Sequence, residues 1–192
     1  MDIKELAYEG ARGLIATGIE GAFDSVSCST AGDYPSIGAQ QVEGGRADEL
    51  LSWIDGGDHF AGRSYSDIVN SGELEDLIEL LGSEQSQSAQ IQIISRDFEE
   101  LYVPSVMDAG VWAARCIIYA SMWCPTSHYI VGRFIENRID EIDFNSLEEM
   151  HNAFYEQYAY AAGVEEYLNG YQNRADITYE YVSSLDLSAY GL

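Results

Sequence analysis

Two carboxylates, Glu20 and Asp33, flank a short turn-rich stretch within Thr17–Gly45 (TGIEGAFDSVSCSTAGDYPSIGAQQVEGG), and their type and placement could serve acid–base hydrolysis. In such chemistry a carboxylic acid that keeps its proton near neutral pH protonates a poor leaving oxygen. The second carboxylate activates water or stabilises the developing positive charge. Each residue also has a plain reading: Glu20 as a solvated helix-end glutamate, and Asp33, between Gly32 and Tyr34-Pro35, as ordinary turn chemistry. Spacing alone leaves both open. Asp24 is nearer to Glu20 and reads better as a residue that orders the loop. Ser36, Gln40, Gln41 and Glu43 could hydrogen-bond a polar substrate, although a hairpin hydroxyl and a wet strand end account for them almost as well. Tyr34 is the aromatic residue of this stretch suited to stacking on a sugar ring.

The elements that must position these groups follow from periodicity. Ile3, Leu6, Ala7, Leu14 and Ile15 recur at helical spacing behind an Asp2 N-cap, and Gly21 breaks the pattern, so Glu20 is expected at the mouth of a helix. Phe23–Cys28 alternates, Ser29–Pro35 supplies a turn, and Ser36–Gln41 reads as the return strand, ending at Gly44-Gly45. Helices are predicted over Arg46–Asp55, Ser64–Asn70, Gly72–Leu81, Gln85–Tyr102, Val111–Trp123, His128–Asn137, Ser146–Tyr160 and Tyr167–Leu185. Ser71 serves as a start signal, and Pro104 and Pro125 lie past helix ends. Gly56-Gly57-Asp58 and Gly62 bound a loop that could frame a cleft beside the hairpin. The expectation is a mainly α chain with one small β patch, folded as a single domain over residues 1–192.

At Glu20-Gly21, Asp24-Ser25-Val26, Ser36-Ile37-Gly38, Gln40-Gln41, Gly44-Gly45-Arg46-Ala47 and Leu50-Leu51 the chain resembles the lysozyme-like peptidoglycan hydrolases of bacteriophage endolysins. That superfamily also includes the chitosanases. The resemblance continues through Leu80-Leu81-Gly82-Ser83, Ala89-Gln90, Arg96-Asp97, Ala113-Ala114, Ile117-Ile118-Tyr119-Ala120, Tyr171, Asn173-Arg174 and Tyr179. It implies a two-lobed lysozyme-like helical domain, with the hairpin lining one wall of a saccharide cleft and a long helix linking the lobes. It also implies hydrolysis of the peptidoglycan glycan backbone with Glu20 as general acid, beside which Asp33 stands as the candidate partner, no cofactor, and action at the bacterial cell wall from the host cytoplasm or from outside. One departure is visible. Where the family pattern carries an aromatic residue and a histidine, this chain has Val42-Glu43, which favours a rival of another class: a catalytically silent lysozyme-fold protein serving as a phage structural or wall-binding component.

Composition narrows the partners. The net charge of -24, from 33 acidic and 9 basic residues, opposes binding to nucleic-acid phosphates. Bacterial walls are usually anionic as well, so the charge is the best argument for a chitosanase-like activity on a cationic polysaccharide, although acidic faces mostly serve solubility. No secretory leader or membrane span is expected. Cys28, Cys116 and Cys124 make no zinc or redox motif and are expected to be reduced, small and mostly buried. Glu148 and His151 form a lone Glu-x-x-His without the second copy that a di-iron bundle needs. The tyrosines of the C-terminal third (Tyr155, Tyr158, Tyr160, Tyr167, Tyr171, Tyr179, Tyr181) are expected mainly to pack.

Overall fold

The first helix is fixed by its two ends. In the computed structural model, which describes residues 2–188, Asp2 caps α1 (Ile3–Thr17) by accepting the Lys4 amide at 3.0 Å. Gly18 closes it in the left-handed conformation, with its N–H on the Leu14 carbonyl. An aspartate at the first cap and a glycine past the last turn satisfy groups that a helix end leaves without partners. Gly18 rather than Gly21 is therefore the breaker, and Glu20 sits beyond the cap on a bend instead of on the last turn.

Leu6 and Leu14 on the inner face of α1 are fully buried. Gly10 lies on the same side, where a Cβ would come within 2.5 Å of the Phe98 ring, so glycine is what allows that ring to approach. Truncation at Leu14 would leave a cavity where no solvent reaches. Leu14→Ala should lower stability by about 3 kcal/mol, read as a shift of the denaturant midpoint; an unmoved midpoint would place α1 outside the core.

The chain, expected as one domain, divides into two compact units: Glu20–Ile94, and the residues up to Ile19 together with those from Ser95 onward. In the first unit β1 (Val26–Cys28) pairs antiparallel with β2 (Pro35–Ile37) in the register Val26↔Ile37, Ser27↔Ser36, Cys28↔Pro35. Both strands are shorter than their sequence patterns. At the open end, Ser25 donates its amide to Ala22 O and Gln41 donates its amide to Gly38 O, so these turns take up backbone groups that a longer ladder would need. Then come α2 (Gly45–Ser52), α3 (Tyr65–Asn70), α4 (Leu74–Gly82) and α5 (Glu84–Asp97). Ile37, Leu50, Leu51, Phe60, Ile68, Leu77, Leu81 and Ile93 form the core of this unit.

From Phe98 the helical path widens into a π-helical segment, Phe98–Tyr102, before α6 (Val103–Asp108). Next are α7 (Ala114–Ser121), α8 (Cys124–Glu136), α9 (Leu147–Ala162) and α10 (Leu168–Ser184). Pro104, expected past a helix end, instead stands within a continuous helical path just after the π-helical segment, whereas Pro125 does lie past the end of α7, in a first turn of α8 that is set off from the rest of that helix by a kink at the non-helical Ser127. At Pro125 the missing N–H falls in a first turn, where amides have no intrahelical partner, whereas Pro104 follows a continuous helical path in which the Val103 amide reaches back to Phe98 O in the π pattern. The core of this unit is aromatic, with the Trp123 ring 4.7 Å from that of Phe154 and 4.8 Å from that of Tyr158, and Phe134 packed against both of those partners.

The architecture is thus mainly α with a small two-stranded antiparallel hairpin. Among the described residues no helix is long and apolar enough to cross a membrane.

Candidate functional site

The open end of the hairpin gathers several of the residues singled out by sequence. Glu20 is half-buried, and its Oε1 lies out of contact with solvent. The next residue, Gly21, is pressed into the hairpin: a Cβ there would lie 3.1 Å from Ser25 Oγ, 3.2 Å from Gln41 Nε2 and 3.2 Å from Gly38 O. Ser25 Oγ accepts the Ala22 amide at 2.8 Å, which closes the turn that follows Glu20. Gln41 has φ 51° and is the one non-glycine residue in the left-handed region among the described residues. Its amide explains how that conformation is held. Nε2 donates to Gly38 O at 2.9 Å and Oε1 accepts from Ser27 Oγ at 2.9 Å, so the side chain ties β1 to the turn that follows β2. Ser36 Oγ donates to Gln41 O at 3.1 Å. Ser36 and Gln40 are buried, and Glu43 is half-buried with its carbonyl receiving the Arg46 amide at the start of α2.

A residue that sequence reasoning did not assign to the site holds this framework in place. Gln90 of α5 is buried; its Oε1 accepts the Ala39 amide at 2.9 Å, and its Nε2 faces Phe23 O at 3.0 Å, Ser86 Oγ at 3.1 Å and Leu81 O at 3.3 Å. One side chain therefore ties the segment after Glu20, the end of the hairpin and α4 to a single point. Gly38, at φ 74°, lies against the Gln90 amide, where any Cβ would collide. The one sequence signal at this position is that Ala89-Gln90 falls within the family resemblance.

Asp33 is at the opposite end of the hairpin from the Glu20 turn. Its Oδ1 accepts both the amide and the hydroxyl of Ser66, each at 2.9 Å, and its carbonyl accepts the Tyr65 amide. The Ser66 backbone bond, then the Ser66 hydroxyl, hold the exposed Asp33 carboxyl below its usual range. Asp33 thereby docks the hairpin turn on the first turn of α3. Since an asparagine Oδ1 can accept the same two bonds, Asp33→Asn should leave both fold and activity nearly unchanged. A collapse of activity with an intact fold would return Asp33 to the chemistry.

Tyr34 and Pro35 line a cavity of about 170 Å³ with Ala47 and Asp48 of α2, Phe60 and Arg63. The glycine-bounded loop does frame it, with Gly62 donating its amide to Asp48 Oδ1 at 2.7 Å. Behind Arg63 lies a cluster not anticipated as a unit. The Glu73 carboxylate meets Arg63 Nη2 at 2.6 Å, His59 Nε2 at 2.6 Å and Ser71 Oγ at 2.5 Å. Ser71, expected as the cap of the next helix, bonds this carboxylate while Glu73 takes the cap position of α4. The Ser71 hydroxyl, then Arg63, then His59, hold Glu73 down at about 2, against 4.5 for a free glutamate. A lowered carboxyl contributes stability that is complete above the unfolded value and is lost as pH falls towards the folded one. Wild type should therefore exceed Glu73→Gln in stability above about pH 4.5, and the gap should close between pH 4.5 and 2. Denaturant midpoints at stepped pH measure this, and a gap independent of pH would contradict it.

Other chemistries have less to stand on. Burial pushes the Cys116 thiol up to about 12 and the Cys124 thiol higher still, so neither supplies a thiolate. Cys28 is exposed on β1 rather than buried, as is Ser27 before it, so both faces of the strand are open at that end. His151 meets Asp176 at 2.9 Å instead of completing a Glu-x-x-His ligand pair, and no group of three or more metal-ligating side chains occurs among the described residues. Of the C-terminal tyrosines, Tyr158 is fully buried and Tyr171 stacks on Trp123, whereas Tyr160 and Tyr167 are exposed. Compared with known proteins, the chain matches no family model, no curated protein and no solved structure.

Proposed function

We propose that the chain is a lysozyme-like glycoside hydrolase that cleaves the peptidoglycan glycan backbone, with Glu20 delivering the proton to the leaving oxygen. The observation that carries this reading is the setting of Glu20: a half-buried carboxylate with one oxygen away from solvent, on a bend whose next residue is wedged against Ser25, Gln41 and Gly38. A catalytic acid needs such a fixed, partly dry position. Tyr34 and its cavity offer an aromatic subsite near the far end of β2. Three strand residues at about 3.3 Å each separate that end from the Glu20 turn by about 10 Å, a spacing suited to a polymer rather than a single sugar. In this reading Asp33 shapes the turn, and no cofactor takes part.

A second reading, a silent wall-binding component of the same fold, is favoured by the way Ser36, Gln41 and Asp33 use their side chains within the hairpin and α3. Release of reducing ends from purified peptidoglycan and from chitosan separates the possibilities. Release from peptidoglycan supports the muramidase, release from chitosan alone makes the acidic chain a chitosanase, and wall binding without release supports the silent component.

A further inference from the structure

The basic residues of this acidic chain are few, and most are used internally: Lys4, Arg12, Arg63 and Arg96 face carboxylates, and Arg115 holds the Val182 and Leu185 carbonyls. Arg133 and Arg138 differ. Neither pairs with a carboxylate among the described residues, and both line one cavity of about 310 Å³ between the C-terminal turns of α8 and α9. Its other walls are Ile130 and Phe134 of α8, the Asn137 cap, and Ala161 and Ala162 of α9, with no acidic residue in the lining. In a chain of 33 acidic and 9 basic residues, this is a local reversal of charge.

The two guanidinium groups are held differently. Arg138 is fixed: its Nε donates to Gln157 Oε1 at 3.0 Å, its Nη1 reaches Phe134 O at 3.4 Å, and its plane lies over the Phe134 ring at 4.6 Å. Those contacts leave Nη2 available. They also supply positive charge to a helix end whose exposed carbonyls would otherwise repel an anion. Arg133, one turn earlier, has an exposed guanidinium that bonds nothing among the described residues. Glu136 and Asp140, its acidic neighbours in sequence, are exposed and lie outside the lining.

We propose that this cavity binds a small organic anion, its carboxylate or phosphate held by Arg133 and Arg138 and its apolar part seated on Ile130, Phe134, Ala161 and Ala162. Planar guanidinium groups take two oxygens of such an anion at once, with charge-assisted bonds. The volume lies at the small end of the range for ligand pockets. This assignment stands apart from the glycan reading, since it uses none of the residues of the hairpin unit.

Titration of the full chain with phenyl phosphate, benzoate and uncharged benzyl alcohol, followed by amide NMR, tests it. At least one of the two anions should bind saturably, with the largest shifts at Ala161, Ala162 and Asn137; the tighter of the two identifies whether phosphate or carboxylate is preferred. Arg133→Gln should weaken that binding by about tenfold or more, the worth of a hydrogen bond to a charged group, and Arg133→Lys should recover part of it. Arg133 is exposed, so these variants should fold, and the wild-type shift map is informative without them. Absence of saturable binding by both anions, shifts centred elsewhere, equal binding of benzyl alcohol, or an Arg133→Gln variant with wild-type affinity would each overturn the assignment.

Discussion

Glu20→Gln should lower hydrolysis of purified peptidoglycan by roughly 10²–10⁴, the usual contribution of a positioned general acid, while leaving the denaturant midpoint in place. Glutamine keeps almost the same volume and hydrogen-bonding reach, so the bend and the wedge of Gly21 against Gln41 should survive. What the amide cannot do is give a proton to the departing oxygen. Binding should persist, and the loss should appear in kcat rather than in KM, because an interaction made only in the transition state is the one removed. The variant that still cleaves at the wild-type rate would take Glu20 out of the chemistry and pass the proton transfer to another group.

Gln90→Leu should be the most damaging single change in the hairpin unit, at about 4 kcal/mol. Leucine fills a similar volume but leaves the Ala39 amide and the Phe23 and Leu81 carbonyls facing an apolar side chain. Each buried group left without its partner costs about 1–3 kcal/mol. Gln90→Glu should be milder at the Ala39 amide, which keeps an acceptor, and damaging at the two carbonyls, which lose their donor. Thermal or denaturant unfolding of the two variants measures the loss, and midpoints close to wild type would mean that Gln90 is not the anchor. If Glu20 also performs the chemistry, Gln90→Leu should depress turnover below the unfolding range, because the segment that follows Glu20 hangs from this amide.

The parts of the fold legible in sequence were those written in local chemistry. Asp2 read as the residue before a helix and caps one, and Ser64 and Ser146, read as the first residues of their helices, stand one step earlier as caps. The hairpin announced itself through alternation and its Gly-Asp-Tyr-Pro turn. Where a residue type has two local meanings, the reading failed: Pro104, read as lying past a helix end, stands in a continuous helical path, and Gly21 was read as the breaker although Gly18, three residues earlier, closes the helix with its amide on Leu14 O. Asp33 shows the same ambiguity at the site, since an aspartate before Tyr-Pro suits a turn and a catalytic dyad alike, and only the Ser66 contacts reveal what it holds. Gln90 and Glu73 were invisible for a different reason. Their partners lie far away in sequence or are shared among several side chains, so no period or spacing encodes them.

The short ladder of the hairpin has a consequence for the order in which the chain acquires its structure. Two strands of three residues are marginal on their own, and the bond that secures their open end comes from a residue 51 positions downstream. A contact across that span must meet the entropy of closing the intervening loop before it returns any stability. The helices around Leu50, Leu77 and Ile93 can assemble from nearer neighbours, so the hairpin should belong to the late steps of folding and to the early steps of unfolding. The segment carrying Glu20 would then be among the last parts of the molecule to take shape and the first to lose it.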